Sequence, residues 1–360
     1  MKERIIISVS SDLATDQRVQ KVAKSCFDNG YDVLLVGRKL NNSLPFSASY
    51  RHKRFNLCFN QSFLFYAELN IRLFFYLLFS KSDILLANDT DTLPANFLVS
   101  KIRRKKLIFD AHELFPEVPE LVNRPKVKKV WEKIENVFFP KLKNAYTVSG
   151  SIADYYKDRY GVHMEVVRNV PYKRMDLPIK IKKKRKTILY QGALNKGRCL
   201  EYVIPAMQWI ENAELIIAGD GDVRAELEKF MQDLKLSDRV TFLGKLLPDD
   251  FKKLTPTADV GLCLLENMGL SYYFSLPNRI FDYLHAGVPV LASDFPEIKK
   301  IVEKYKTGLL TDNISPESIA EKLNEMLSNP MNTAHFAEVA KEYCWENEEK
   351  KLIEIIQNSE

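Results

Sequence analysis

The chain has 360 residues, 46% of them apolar and 28% charged, a length that outgrows a single core and a composition that excludes collagen-like, low-complexity and disordered classes. Its net charge of +6 conceals a split, with 35 basic against 19 acidic residues through Lys186 and 18 against 28 from Thr187 onward; opposite signs in the two halves point to two modules with different partners. Five scattered cysteines with no C-x-x-C pair exclude a disulfide framework or a zinc knuckle and fit a reducing cytoplasm.

In chain order, the apolar run at 5–9 is too short for a signal-peptide core and reads as a first strand. A helix follows, with Thr15 or Asp16 as cap, Val19, Val22, Ala23, Cys26 and Phe27 at helical spacing, and Gly30 as its stop. Asp16 and Arg18 therefore sit at the junction of strand and helix, either lining a cleft or serving as cap and surface charge. The aromatic stretch 63–79 is interrupted by Glu68, Asn70 and Arg72 and is too short to span a membrane. Its apolar residues cover nearly the whole helical circumference, which favours core packing over a peripheral lipid-binding surface. Basic clusters at 51–54, 103–106 and 126–129 flank it, and an anionic membrane or acceptor fits them better than nucleic acid, for which no recognition fold is visible.

Further strands are expected at 33–36, 84–87, 107–109 and 146–148. Asn88 and Asp89 follow the strand at 84–87 and are acceptor-site candidates, with a helix cap at Thr92 as the alternative. His112 lies just past the strand at 107–109, between Asp110 and Glu113. A histidine so placed can donate or accept a proton near neutral pH. The lysine-rich segment 180–186 reads as a solvated linker and the domain boundary. Beyond it, strands at 188–190, 215–218, 240–243, 260–264 and 290–292 again alternate with helices. Near-continuous apolar strands between helices mean α/β units with parallel sheets.

Three loops in the second half carry chemistry. The first, Gly192-Ala193-Leu194-Asn195-Lys196-Gly197-Arg198, bends at two glycines and offers two cations suited to a diphosphate. The second, Gly219-Asp220-Gly221, permits close backbone approach to a ligand. In the third, Ser275-Leu276-Pro277-Asn278-Arg279-Ile280-Phe281-Asp282, Pro277 near a helix start with Ser275 as cap leaves backbone N–H groups for an anion, and Asp282 can meet a ribose diol. His285-Ala286-Gly287-Val288-Pro289-Val290 then leads into the next strand.

Together these motifs resemble the donor half of a family 4 glycosyltransferase (glycosyl transferases group 1), and the resemblance runs nearly end to end. It implies the GT-B fold, with two Rossmann-like doubly wound parallel-sheet domains facing across a cleft. They would cover residues 1–170 (acceptor) and 171–340 (nucleotide sugar), with a helix in 341–360 packing back on the first. It further implies a retaining, metal-independent transfer from a UDP- or GDP-sugar to a cell-envelope glycan or lipid-linked acceptor. No cofactor is implied beyond that donor substrate, and the expected location is cytoplasmic or peripheral at the inner membrane face. By the same resemblance Arg198 holds the diphosphate, assisted by Lys196, and His112 meets the donor sugar or stabilises charge at the reacting centre. Gly192, Asn195, Gly219, Gly221, Leu276, Asn278, Arg279 and Asp282 bind the nucleotide, while Asp16, Arg18, Asn88, Asp89 and Glu113 line the acceptor side. Three positions depart from the family pattern. Ala193 replaces an arginine, Phe274 replaces the first of two glutamates, and Asp282 shortens the second; Glu266 is a candidate substitute for the first. A 2-epimerase of the same fold and a transferase-like scaffold without turnover are the competing readings.

Overall fold

The apolar runs become strands of two parallel sheets in a computed structural model that describes residues 2–41, 43–174 and 185–359. The chain divides into two units, Met1–Asn169 with Asn347–Glu360, and Val170–Glu346. Residues 180–184 of the lysine-rich segment lie outside the described residues, and Lys186 already opens a strand.

In the first unit seven strands run in the order β3-β2-β1-β4-β5-β6-β7. They are β1 (Arg4–Asp12), β2 (Asp32–Lys39), β3 (Arg51–Asn56), β4 (Ile84–Asn88), β5 (Lys106–Ala111), β6 (Asn144–Thr147) and β7 (Glu165–Val166). Every pairing is parallel. Ile5, Ile6 and Ile7 of β1 are fully buried, as a central strand covered on both faces requires. The helices are α1 (Gln17–Asp28), α2 (Ser62–Phe79), α3 (Asp89–Arg103), α4 (Pro119–Val122), α5 (Pro125–Phe138) and α6 (Gly150–Tyr160). Strand order reverses direction between β1 and β4, which makes their carboxyl ends the switch point where such sheets bind ligands.

The second unit repeats the plan with six strands ordered β10-β9-β8-β11-β12-β13. They are β8 (Lys186–Gln191), β9 (Ala213–Ala218), β10 (Val240–Gly244), β11 (Val260–Cys263), β12 (Val290–Ser293) and β13 (Gly308–Thr311). Its helices are α7 (Leu200–Ala206), α8 (Arg224–Asp233), α9 (Pro248–Leu254), α10 (Leu270–Tyr273), α11 (Asn278–His285), α12 (Pro296–Tyr305), α13 (Pro316–Ser328) and α14 (Phe336–Glu342). The switch point here lies between β8 and β11. The division between units falls within α15 (Trp345–Gln357), after Glu346. Glu348 of this helix accepts from the backbone and side chain of Arg168.

Three strands escape sequence reasoning. β3, with the sequence RHKRFN, exposes its first three residues and so reads as basic surface; it is a sheet edge, where polar residues suffice. β7 has only two residues, and β13 is half-buried rather than apolar throughout. Core packing describes only part of the aromatic helix α2: Phe65, Leu69, Leu73 and Leu77 are buried, whereas Phe63, Ile71, Phe75 and Phe79 face water.

Candidate active site

The carboxyl ends of β1, β4 and β5 bring three polar segments together in the first unit. Asp110, fully buried at the end of β5, accepts from Arg18 Nε at 3.1 Å and Nη2 at 2.7 Å. It also pairs with His112 Nε2 at 3.0 Å. On the other side of the ring, Asp89 meets His112 Nδ1 at 3.1 Å and accepts the His112 backbone N–H at 2.7 Å. Asp89 does this from a left-handed conformation, φ 59°, an uncommon backbone state for a residue with a side chain and one associated with functional sites.

Both ring nitrogens of His112 therefore face carboxylates and can bond them only as donors, which makes the ring an imidazolium. Burial by itself would lower the His112 pKa, but Asp110 and then Asp89 outweigh it and hold it well above the usual histidine value. Burial acts to raise Asp110; Arg18 and His112 override it and draw the carboxyl down to about 2. Nearby, Asp91 is pushed up to about 7 by burial and by Asp89. Glu113 is pushed up to about 8 by desolvation, Asp89 and Glu120. Its side chain nonetheless meets solvent, so the direction stands and water moderates the extent.

Of the acceptor-side candidates, Asp89 and Glu113 thus share one locus with the catalytic candidate His112. Arg18 does not line a cleft: it is 4% exposed, bound to Asp110 and to the Val167 carbonyl. Asn88 is buried and ties β4 to the Ser8 carbonyl of β1. Asp16 takes the capping alternative, accepting from the Val19 backbone at 3.1 Å and from the Ser11 hydroxyl at 2.6 Å. Thr92 caps nothing; α3 begins at Asp89, and the Thr92 hydroxyl bonds the Asn88 carbonyl.

In the second unit, Arg198 and Arg279 occupy the mouth between β8 and α11. Arg198 lies over the Tyr272 ring at 4.7 Å and Arg279 over the Tyr190 ring at 4.6 Å. Arg198 Nε and Arg279 Nη1 are buried without a partner, and no carboxylate pairs with either arginine among the described residues. Burial, and then the like charge of Arg279, lowers the Arg198 pKa. Arg279 also lies against Gly192. Asp282 accepts from Gln191 Nε2 at 3.0 Å, and the Thr255 hydroxyl holds the other end of that amide at 2.8 Å. Arg174 adds a positive neighbour to Asp282.

Lys196, Asn195 and Asn278 remain at least partly exposed around this mouth, while Leu276 is buried in the core. The Gly219 and Gly221 pair serves packing: a Cβ on Gly219 would sit 1.8 Å from the Gly192 carbonyl oxygen, and one on Gly221 would sit 2.5 Å from that of Leu194. Neither position has room for a side chain against the neighbouring loop. Ser275 does not cap α11, since its hydroxyl bonds the Tyr272 carbonyl and Pro277 holds the cap position. Glu266 accepts from the Tyr202 hydroxyl at 3.0 Å, and its backbone N–H binds the Gly197 carbonyl, so it borders the Arg198 loop. Sequence reasoning named Asp110 as a neighbour of His112 without giving it a role, and missed Gln191, Tyr190 and Tyr272. The alternation of Tyr and Arg around the two loops was the available signal for the last two.

Residues 174–343 match the family described as glycosyl transferases group 1, and residues 17–171 match glycosyltransferase family 4. An uncharacterized glycosyltransferase from Methanocaldococcus jannaschii is 31% identical over 179 residues, 47% of this chain and 44% of that protein. The chitobiosyldiphosphodolichol beta-mannosyltransferase of Candida albicans is 25% identical over 284 residues, 69% of this chain and 61% of that protein. The match thus spans about half the length of these curated relatives. Among solved structures, sucrose-phosphate synthase from Thermosynechococcus elongatus shares the fold at a TM-score of 0.81, with 16% identity, over 99% of this chain and 98% of that one. Two doubly wound sheets, each with its polar residues at the strand carboxyl ends, and family matches to both halves identify the chain as a member of the GT-B glycosyltransferases of family 4.

Proposed function

We propose that the protein transfers a hexosyl group from a UDP- or GDP-sugar to a cell-envelope glycan or lipid-linked acceptor at the cytoplasmic face of a membrane. The observation that carries this is the Arg198–Arg279 pair. Two guanidiniums held partly out of water, each against a tyrosine ring but without a carboxylate, lack the counter-charge that a bound anion supplies. The diphosphate of a nucleotide sugar supplies two adjacent negative charges, and arginine forks bind such groups bidentately. Asp282, steadied by Gln191, accepts from a ribose diol, and exposed Lys196 supplies the further charge that Ala193 lacks.

In the transfer the bond between the sugar anomeric carbon and the diphosphate oxygen breaks, the acceptor oxygen bonds that carbon, and the acceptor hydroxyl proton passes to the departing diphosphate oxygen. Arg198 and Arg279 stabilise the diphosphate as its charge grows. By the family resemblance His112 meets the donor sugar, and a ring held between Asp89 and Asp110 serves there as a fixed cation rather than as a base, because neither nitrogen has a lone pair to offer. Retention at the anomeric carbon belongs to the same proposal, by the family resemblance. Release of UDP or GDP from a panel of nucleotide hexoses, with and without membrane lipid extract, tests it. Release stimulated by lipid extract is expected. Nucleotide binding with no release from any donor would instead favour the scaffold without turnover, which Phe274 and Ala193 prompt.

A further inference from the structure

The helix α2 carries two apolar stripes. Phe65, Leu69, Leu73 and Leu77 are buried, while Phe63, Ala67, Ile71, Phe75 and Phe79 are exposed. Both repeat every four residues and they are offset by two, about 200° round the helix. One stripe faces the sheet and the other faces water, with Phe79 81% exposed, Phe63 75% and Ile71 59%. A core requires only the first stripe.

The helices packed beside α2 expose apolar residues as well. α2 packs on α3 and α3 on α5. α3 exposes Leu98 and Ile102, and α5 exposes Val130 and Val137. Such a spread of large apolar groups over three adjacent helices exceeds the scattered exposure normal for a soluble surface. The charges among them all have one sign. Every exposed charged side chain on the three helices is basic: Arg72 on α2, Lys101 on α3, and Lys126, Lys129 and Lys133 on α5. The acids of the same helices are tucked in or paired, Glu68 with Arg72 and Glu132 with Arg159. A second copy of the chain would set these cations against one another, whereas an anionic bilayer complements both the charge and the apolar residues between them.

We infer that the outer face of α2, α3 and α5 is a lipid-docking surface, which lies flat on an anionic bilayer with Phe75, Phe79 and Ile71 inserted at the headgroup boundary and the lysines against phosphates. It specifies how the chain meets the membrane in the reading above, and it is testable without any transfer chemistry.

Co-sedimentation of the full chain with phosphatidylcholine vesicles, and with vesicles containing phosphatidylglycerol at 30 mol%, tests this at low and high salt. The expected result is binding to the anionic vesicles only, reduced at least tenfold by high salt. Phe75→Ser with Phe79→Ser, and separately Lys101→Glu with Lys129→Glu, should each weaken it at least tenfold while UDP or GDP affinity stays unchanged. Equal binding to both vesicle types, binding indifferent to both double variants, or a dimer in sedimentation velocity that the Phe variants dissociate would each overturn the lipid assignment. Loss of nucleotide binding in wild type, by contrast, would count against the donor site alone.

Discussion

At the scale of single residues, the decisive feature is a chain of four charges, Arg18–Asp110–His112–Asp89, in which each acid lies between or beside cations. Removing Arg18 as Arg18→Met leaves Asp110 buried with one partner fewer and is expected to cost about 3 kcal/mol or more of folding stability, read by urea unfolding. The pH dependence has a definite sign. His112 has a raised folded pKa, so its contribution is complete below the unfolded value of 6.5 and declines as pH rises through the folded value. Asp110 has a depressed one, so its contribution holds above 3.8 and is lost as pH falls towards 2. The stability gap between wild type and His112→Gln should therefore be widest between about pH 4 and 6.5 and narrow in alkali. A gap independent of pH would mean that the ring is neutral. Sequence placed His112 past its strand, but it could not show the double clamp or its support: Asp89 lies 23 positions from His112 and Arg18 lies 92 from Asp110, and nothing local marks such distant partners.

At the scale of elements, α2 separates packing from surface. Leu69→Ala and Leu73→Ala remove fully buried side chains and should each cost about 2–5 kcal/mol. Ile71→Ser, half a turn away on the exposed stripe, should change stability by less than about 0.5 kcal/mol. Chemical denaturation of the three variants checks the contrast, and equal losses would show that the outer stripe is also packed. Period-based reading found most strands of both sheets because buried parallel strands are short apolar runs, and it found the α1 cap at Asp16. It failed where burial is partial. β3 is polar enough to pass for a basic loop, and α2, apolar all round, looks like core on both faces. The G-x-G turn was read as room for a ligand; what that reading did not include is that the loop at 192–194 also requires glycine at 219 and 221, a tertiary contact that no local pattern displays.

At the scale of the whole molecule, the uneven charge noted in the sequence acquires chemical content. The basic half contributes the lysines of α3 and α5, which suit an anionic surface. The acidic half holds a small group of cations, Arg198, Arg279 and Lys196, in a background of opposite sign, the group to which the diphosphate is assigned in our proposal. The fold was legible because both halves repeat one strand–helix rhythm. The donor motifs were legible because each follows a strand end. Tyr190, Tyr272 and Gln191 were not, since they orient the recognised residues rather than belonging to the motifs. The central claim is that the unpaired arginines bind a nucleoside diphosphate. Titration calorimetry with UDP and with GDP, on wild type and on the Arg198→Ala, Asp282→Ala double variant, tests it most directly. Binding of one nucleotide, weakened at least tenfold in the variant, or about 1.4 kcal/mol, is the predicted result; no heat with either nucleotide at millimolar concentration, or equal affinity in the variant, would contradict it.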